Sequence, residues 1–382
     1  MTIVSLVILL PLLAIFWISV KPVGLADLRV ISPVVRESLR TRGDVPQVEY
    51  RVRNSSQEKP IEGAGFSDSV PASIRFLELP ENCRIESAFL RCDFGTMEPG
   101  FSERYRLAIE YTGSLESVEQ AVEGTEPNVT GSGDNVLFNR EFTADNFKRI
   151  FDSNEFMSVL WATLFYTVAG TIGALVVGLF AAMLLNRSFA GQGVLRGLYL
   201  FPYVSPIIAV AFTWVTLFDP FSGSVNALLL QMEVADQPIN FFGERPQALI
   251  MVTVFEIWRY FPLSFLFILA RMQSIDNAMY EAADMDGASP FQQFWYLSMP
   301  QLLGILSVLF LLRFIWTFNK FDDIFLLTGG NAGTRTLTVN VYEQAFAISN
   351  IGAGAAVAVV IFAVLLMFSF VFFRYISREE GL

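Results

Sequence analysis

Hydrophobic positions are concentrated in a few long runs that polar segments separate. A helix rises ~1.5 Å per residue and needs about 20 apolar residues to cross roughly 30 Å of hydrocarbon. Six runs approach that length, although one of them contains four charged residues: Met1–Val20, Phe156–Asn186, Gly197–Phe218, Pro246–Ala270, Gln301–Leu327 and Gln344–Phe373. The pattern predicts a mainly α membrane protein with six transmembrane helices.

A different pattern follows the first run. The segments "VEYRVRN" and "SERYRLAIEYTG" alternate apolar and polar residues with period two, and Pro and Gly separate them from their neighbours. Such alternation is typical of half-exposed strands joined by turns. We predict that residues 1–20 form the first transmembrane helix, residues 21–135 an inserted β-sandwich and linker, and residues 136–382 a domain with five further helices.

Composition narrows the possible functions. The chain is 53% hydrophobic with a net charge of −11, and residues 21–157 carry 16 basic and 23 acidic residues. This balance argues against nucleic acid or an anionic lipid surface as the main partner. The chain has no histidine, which excludes Ser-His-Asp catalysis and His-ligated zinc, and no phosphate-binding Gly-x4-Gly-Lys-[Ser/Thr] loop. We expect no catalytic residue, no metal site and no cofactor on this chain.

The basic residues of short loops predict the orientation. Arg187 and Arg196 lie in one loop without acids, and Arg374 and Arg378 follow the last run. Cytoplasmic loops are enriched in Lys and Arg, so both segments are expected inside. With six spans, residues 21–157 are then extracytoplasmic and residues 279–300 are cytoplasmic.

The first run allows two interpretations. It lacks a basic segment before it, and "GLA" ending at Ala26 resembles a signal-peptidase site, so cleavage would leave Asp27 at the mature N-terminus. The apolar run from Ile3 to Val20 is long for a signal peptide. We therefore predict a retained signal anchor.

The segment "MYEAADMDGASPFQQFWYLSMP", Met279–Pro300, is polar although apolar runs flank it. Glu281, Ala282 and Ala283 favour a helix, and Gly287 permits a sharp change of direction. We predict a short helix, a turn at Gly287 and a return into the bilayer at Pro300.

This segment resembles the "EAA-x3-G-x9-I-x-L-P" loop of the permease subunits of ATP-binding-cassette importers, with Leu297 and Met299 at the Ile and Leu positions. In that family the loop is a coupling helix seated in a cleft of the ATPase subunit. The resemblance implies the same role here for five residues: Glu281, Ala282, Ala283, Gly287 and Pro300.

The resemblance extends over residues 142–375. "LYLFPYVSPIIAVAFTWVTLF", "EIWRYFPLSFLFILARMQSI" and "RFIWTFNKFDDIFLLTGG" resemble the carbohydrate branch of these importers, the maltose-transporter type. It implies an inner-membrane sugar importer in which this chain forms half of the translocation path. The implied partners are a second permease, an ATPase dimer that binds ATP and Mg²⁺, and an extracytoplasmic solute-binding protein. Asn331, where relatives usually have Pro, and the inserted β domain depart from the pattern.

Polar residues inside membrane spans are costly and are therefore candidates for function. Glu256, Arg259 and Tyr260 form one such cluster, and a second includes Trp316 and Asp323. By resemblance, the residues nearest a midplane sugar pocket are Arg259, Tyr260, Phe318, Asn319 and Asp322. The alternative is that Glu256 and Arg259, three apart on one helical face, form a structural ion pair while the aromatic residues only pack.

The predicted strands resemble the immunoglobulin-like repeats of bacterial surface proteins over residues 30–113. In those repeats a Cys pair brackets a hairpin, which implies a disulfide between Cys83 and Cys92, the two cysteines of the chain. Two unpaired small hydrophobic residues are the alternative.

Two other functions remain open. The importer could carry a different solute, with Arg259 serving glycerol phosphate or Asp322 and Asp323 serving a polyamine. In the other, the chain is a membrane-anchored surface protein whose β domain is the functional part.

Overall fold

The computed structural model describes residues 5–28, 30–41, 45–56, 59–135, 137 and 139–375. The chain divides into two compact units. We call Met1–Ser19, Asp145–Ile348 and Ala353–Leu382 the membrane unit, and Val20–Ala144 with Ser349–Gly352 the β unit.

The elements follow one another in a simple order. The strands are β1 (Pro33–Arg40), β2 (Gln47–Asn54), β3 (Ile61–Ser69), β4 (Ile74–Phe76), β5 (Cys83–Glu86), β6 (Phe89–Met97), β7 (Ser102–Tyr111) and β8 (Asn128–Ser132). The α-helices are α1 (Leu10–Ser19), α2 (Leu115–Glu123), α3 (Asp145–Phe151), α4 (Phe156–Leu185), α5 (Gln192–Tyr199), α6 (Phe201–Val204), α7 (Ile207–Leu217), α8 (Ser224–Gln231), α9 (Gln247–Gln273), α10 (Asn277–Met285), α11 (Pro290–Gln293), α12 (Met299–Phe318), α13 (Asp322–Thr328), α14 (Leu337–Tyr342) and α15 (Ile351–Tyr375). A 3₁₀ turn spans Ala26–Leu28, and π-helical turns span Ser5–Leu9, Phe294–Ser298 and Glu343–Ala347.

Four helices of the described residues are long and apolar enough to cross a membrane: Phe156–Leu185, Gln247–Gln273, Pro290–Phe318 and Ile351–Arg374. The pair Gln192–Val204 and Ile207–Leu217, bent by 89°, makes a fifth if it counts as one span. The apolar helix Leu6–Ser19 is shorter, so the predicted count of six spans is not confirmed.

The candidate span Gln301–Leu327 is not one continuous helix. Helix α12 ends at Phe318, and α13 begins only at Asp322. The Asn319 side chain donates from Nδ2 to the Ile315 carbonyl at 2.8 Å, a local bond of the kind that competes with helix propagation. The charged residues that follow therefore lie at a helix break.

Helices α4 and α9 pack closely because glycines line the contact. A Cβ on Gly170 would lie 3.0 Å from Glu256 Cγ, and one on Gly178 would lie 2.9 Å from the Phe265 nitrogen. Small residues allow two helix backbones to approach in this way. The close approach brings the α4 backbone next to Glu256.

The β unit contains two four-stranded antiparallel sheets, with strand orders β1-β2-β7-β4 and β5-β6-β3-β8. Buried residues of both sheets form one hydrophobic core, which includes Val52, Ile61 and Leu90. Tyr50 on β2 donates to Asp68 Oδ2 on β3 at 2.7 Å, which joins the sheets inside that core. The region has the sheets that the alternation predicts, whereas the immunoglobulin-like type is not confirmed.

Cys83 on β5 and Cys92 on β6 are directly opposed in the register of the antiparallel pair and form a disulfide. The two strands form a tight hairpin, so the bridge joins neighbouring strands of one sheet. It therefore reinforces a local hairpin and does not link the two sheets.

An ion-pair cluster lies on the outward face of β2. The fully buried carboxylate of Glu49 is contacted by Arg51 Nε at 2.8 Å, Arg106 Nε at 3.0 Å and Arg40 Nε at 3.3 Å. The hydrogen bonds from Arg51 and Arg106, together with the nearby charge of Arg40, lower the pKa of Glu49 to about 2. Glu49 therefore joins β1, β2 and β7 electrostatically.

The lowered pKa predicts a specific pH dependence. Glu49 stabilises the fold fully above the pKa of the unfolded chain, near 4.5, and this contribution is lost as pH falls through about 2. We expect Glu49→Gln to speed amide hydrogen exchange in β2 and β7 at about pH 6, and the difference from wild type to vanish near pH 2. Glu62→Gln, at an exposed acid on β3, controls for the loss of one negative charge. A difference of equal size at both pH values would contradict the prediction.

Candidate functional site

The membrane unit contains a buried ion pair between α9 and α12. Arg313 Nη2 lies 2.7 Å from Glu256 Oε1, and the two side chains are 1% and 0% exposed. Thr317 donates to the same oxygen at 2.9 Å, and Tyr166 on α4 donates to Glu256 Oε2 at 3.0 Å. Both carboxylate oxygens thus have partners, as a buried charge requires.

The alternative in which Glu256 pairs with Arg259 is wrong. Arg259 donates instead to the carbonyls of Pro202 at 3.1 Å and Ser205 at 3.0 Å. These carbonyls lie at the end of α6, where the chain bends before α7, and a guanidinium there satisfies groups that the helix leaves without partners. The two side chains leave α9 toward different helices, so their spacing of three residues does not bring them together.

Tyr260 is surrounded by cations. The Lys320 ammonium lies 4.1 Å from the centre of the Tyr260 ring and donates to its hydroxyl. The guanidinium carbons of Arg313 and Arg259 lie 4.9 and 5.6 Å from the same centre. A cation over an aromatic face is stabilised more strongly when water is excluded. Tyr260 therefore connects the Glu256–Arg313 pair to the helix break after α12.

Two aspartates follow at the start of α13. Lys320 Nζ lies 3.8 Å from Asp322 Oδ1 and 3.9 Å from Asp323 Oδ2. The Asp322 side chain is 50% exposed, whereas Asp323 is fully buried and accepts no hydrogen bond from an N–H or O–H group of the described residues. Asp322 is thus the exposed carboxylate of this pair.

Only some of the residues predicted for the substrate path lie together in the structure. Arg259, Tyr260 and Asp322 lie in or beside the charged network. Phe318 is buried and stacks on Phe314 with 6.1 Å between ring centres, which fits the packing alternative. Asn319 is exposed at the end of α12.

Sequence reasoning missed four residues of the network: Tyr166, Arg313, Thr317 and Lys320. Arg313 and Lys320 carried a signal, because a charge within an apolar run predicts a buried partner or a water-filled path. Tyr166 and Thr317 carried none, since hydroxyl groups are common in membrane helices.

The segment Met279–Pro300 folds as two short helices around a turn. Asp276 caps α10 by accepting from Ala278 N. At its other end, Gly287 has φ +77°, its N–H bonds to Asp284 O at 3.0 Å, and Ala288 N bonds to Ala283 O at 2.9 Å. This pair of bonds is a Schellman motif, which requires the left-handed conformation that glycine adopts without strain.

The second helix begins at a capping box in which Ser289 and Gln292 bond to each other's backbone N–H groups. Pro300 lies in the first turn of α12, directly after the π-helical turn. Proline has no N–H to donate to the preceding turn, which accounts for the irregular hydrogen bonding there. The helix nevertheless continues from Pro290 to Phe318.

Side-chain hydrogen bonds join the two arms of this segment, which are α10 and the helix that begins at Pro290. Gln293 Nε2 donates to Asp284 Oδ1 at 2.5 Å, and the hydroxyls of Tyr280 and Ser298 lie 2.8 Å apart. The arms therefore form one braced element.

The outer surface of that element is amphiphilic. Glu281 and Ala282 are exposed, Ala283 is half-buried, and the large apolar side chains of Met285 and Phe291 are 88% and 71% exposed. Exposed apolar groups within a polar segment are typical of protein contact sites.

Comparison with known proteins identifies the family. Residues 174–380, more than half of the chain, match the family described as binding-protein-dependent transport system inner membrane component. The chain belongs to this family. The permease is 37% identical over 221 residues, 58% of its length, to the Inner membrane ABC transporter permease protein YcjO of Escherichia coli (strain K12), of which it covers 74%.

Another relative is the Trehalose/maltose transport system permease protein MalF of Thermococcus litoralis (strain ATCC 51850 / DSM 5473 / JCM 8560 / NS-C), 30% identical over 60% of this chain and 77% of that protein. A solved bacterial alginate ABC transporter in complex with an alginate pentasaccharide-bound periplasmic protein shares the fold, with a TM-score of 0.58 and 20% identity over 62% of this chain and 83% of that one. The permease is therefore a multi-pass inner-membrane protein and a transport subunit. The matched residues include α9, α12 and Met279–Pro300, whereas the β unit strands lie outside them.

Breaking the buried pair on one side should destabilise the membrane unit. Glu256→Gln leaves the Arg313 charge buried without a counter-ion, and we expect a loss of about 3–5 kcal/mol. Arg313→Met should have a similar effect. The double variant should recover much of the loss, because neither charge remains.

The stability of the membrane unit can be measured by tryptophan fluorescence during thermal unfolding in detergent. All six Trp residues lie outside residues 20–144, so the signal does not come from those residues of the β unit. The apolar change Leu303→Ala at an exposed position of α12 is the control. If the losses of the two single variants simply add in the double variant, the pair is not coupled.

Proposed function

We propose that this permease is the transmembrane subunit of an ATP-driven, binding-protein-dependent sugar importer and that it couples to an ATPase through Met279–Pro300. The observation that carries the proposal is the braced helix–Gly287–helix element with its amphiphilic outer surface. Met285 and Phe291 suit a partner's apolar cleft, and Glu281 suits a basic group at its rim.

The path of coupling follows one helix. The arm that begins at Pro290 continues to Phe318 and would span about 40 Å at ~1.5 Å per residue. This helix carries Arg313 and leads to the break that positions Lys320 and Asp322. A displacement of the coupling element would therefore move the charged network directly.

The network also supplies the contacts that a sugar requires. Sugars are bound by hydrogen bonds to a few placed polar groups and by aromatic surfaces. Tyr260, Asn319 and Asp322 offer such groups where α9 meets the end of α12. The likeness to a trehalose/maltose permease supports a sugar as the solute.

The structure weakens the alternatives. Arg259, on which the glycerol-phosphate alternative depends, is occupied by the Pro202 and Ser205 carbonyls. The polyamine alternative keeps one reachable carboxylate, Asp322. Membership of the importer family contradicts the surface-protein alternative.

The proposal implies several partners. One coupling element and half of a path call for a second permease chain, and an ATPase dimer would bind ATP and Mg²⁺. An extracytoplasmic solute-binding protein would deliver the sugar, and residues 21–157 would lie on that side. The orientation rests on Arg187, Arg196 and Arg374; Arg378 lies outside the described residues.

Gly287→Ala tests the coupling element. A Cβ meets no atom within 4 Å, but the positive φ makes alanine unfavourable by roughly 1–2 kcal/mol, so the Schellman turn should loosen. We expect solute-stimulated ATPase activity of the assembled complex to fall while assembly persists. Gly193→Ala, which also has open space but no positive φ, is the control. Unchanged stimulation in Gly287→Ala would count against the coupling role.

Asn319→Ala and Tyr260→Phe test the solute path. Each removes one hydrogen-bonding group, and we expect KM for sugar uptake to rise about 2- to 10-fold per lost bond. Basal ATPase activity should be unchanged because the coupling element is untouched. Asn331→Ala, at an exposed turn, is the matched control. Normal uptake kinetics in both variants would remove these residues from the path.

A further inference from the structure

The outward face of the sheet formed by β1, β2 and β7 is strongly basic, although the whole chain has a net charge of −11. All three strands are described in full, and the outward positions carry only two carboxylates, Glu49 and Glu110. Six exposed arginines occupy the same face: Arg36, Arg40, Arg51, Arg53, Arg104 and Arg106. We call these six the arginine face.

The strand register places like charges side by side. Arg36 is directly opposite Arg51, and Arg51 is directly opposite Arg104. Like charges in directly opposed positions destabilise a sheet. Within the described residues, no ion pair within 4.0 Å involves Arg36, Arg53 or Arg104. Folding stability therefore does not explain this row, whereas binding of an anion does.

Glu49 leaves the Nη groups of its three arginine partners available to bind an anion. The contacts of the carboxylate with Arg40, Arg51 and Arg106 are made through Nε, and the hydrogen bonds from Arg51 and Arg106 are donated by that atom. Each guanidinium therefore retains its two Nη groups, which form the fork that binds a carboxylate, sulfate or phosphate group bidentately. The buried carboxylate holds the three guanidinium groups in place. Less side-chain conformational entropy is therefore lost when an anion binds.

The form of this face favours a polymer over a folded protein. Stable protein interfaces have buried aromatic or aliphatic anchors, and the outward positions of these strands carry no aromatic residue. Charges recur instead on neighbouring strands, which are spaced ~4.8 Å apart. A linear chain with closely spaced oxyanions matches such an array.

We propose that the arginine face is a binding site for an acidic polysaccharide, contacted through its carboxylate or sulfate groups. The acidic balance of the whole chain does not oppose this, because a charge cluster acts within about a Debye length, ~10 Å at 0.1 M salt. The inference does not depend on the transported solute.

Binding can be measured on the full chain in nanodiscs of neutral lipid. The probes are polygalacturonate, a carboxylate polymer, and neutral dextran of matched length. We expect polygalacturonate to bind with an affinity that falls steeply with salt, and dextran not to bind. The variant Arg36→Gln/Arg53→Gln/Arg104→Gln keeps the Glu49 cluster intact, and we expect it to bind about tenfold more weakly or worse, with a shallower salt dependence.

Arg84→Gln/Arg91→Gln/Arg140→Gln is the matched control, since it removes the same charge from exposed positions outside the face. We expect it to bind like wild type. Hydrogen exchange in β2 should be the same in both triple variants and wild type, which separates lost binding from lost folding.

Three results would overturn the proposal. Polygalacturonate could fail to bind wild type, or the two triple variants could lose affinity equally, which would indicate attraction to charge in general. The third such result would be that anionic phosphatidylglycerol vesicles or an acidic protein bind through the six arginines while polygalacturonate does not.

Discussion

The arrangement of the membrane unit depends on the buried ion pair between Glu256 and Arg313. A buried carboxylate is stabilised when both of its oxygens have partners, and those of Glu256 on α9 are contacted by Tyr166 on α4 and by Arg313 and Thr317 on α12. The pair therefore constrains three helices at once. Gly170 makes this possible, because any larger residue would meet the Glu256 side chain. Tyr260 and Lys320 then extend the same network to the helix break after α12.

Two properties of the segment Met279–Pro300 follow from local chemistry. The Schellman turn and the capping box satisfy backbone groups that would otherwise lack partners at the ends of two short helices. The segment is therefore well hydrogen-bonded, although it is polar and exposed. Its second helix continues, through the π-helical turn Phe294–Ser298, into the helix that carries Arg313.

Ion pairs have different functions in the two units. Glu256 and Arg313 are both removed from water, and each requires the other. On the arginine face, one buried acid serves three half-exposed arginines, and the cluster has an excess of positive charge. The first arrangement specifies how helices pack. The second leaves an excess of positive charge at the surface. This excess is better explained by recognition of an anion than by a contribution to folding stability.

The sequence alone determined what depends on short-range patterns. Apolar runs located the long helices, period-two alternation located the sheets, and Gly287 with its flanking residues marked the turn between α10 and α11. Each follows from residues within a few positions of one another. Tertiary structure decided the partners. The counter-ion of Glu256 is Arg313 on another helix and not Arg259 on its own helix, and this choice depends on which helices face each other, which spacing along one helix does not encode. The different exposure of Asp322 and Asp323 also depends on tertiary packing, because adjacent residues of the same type are buried or exposed according to the segments that surround them.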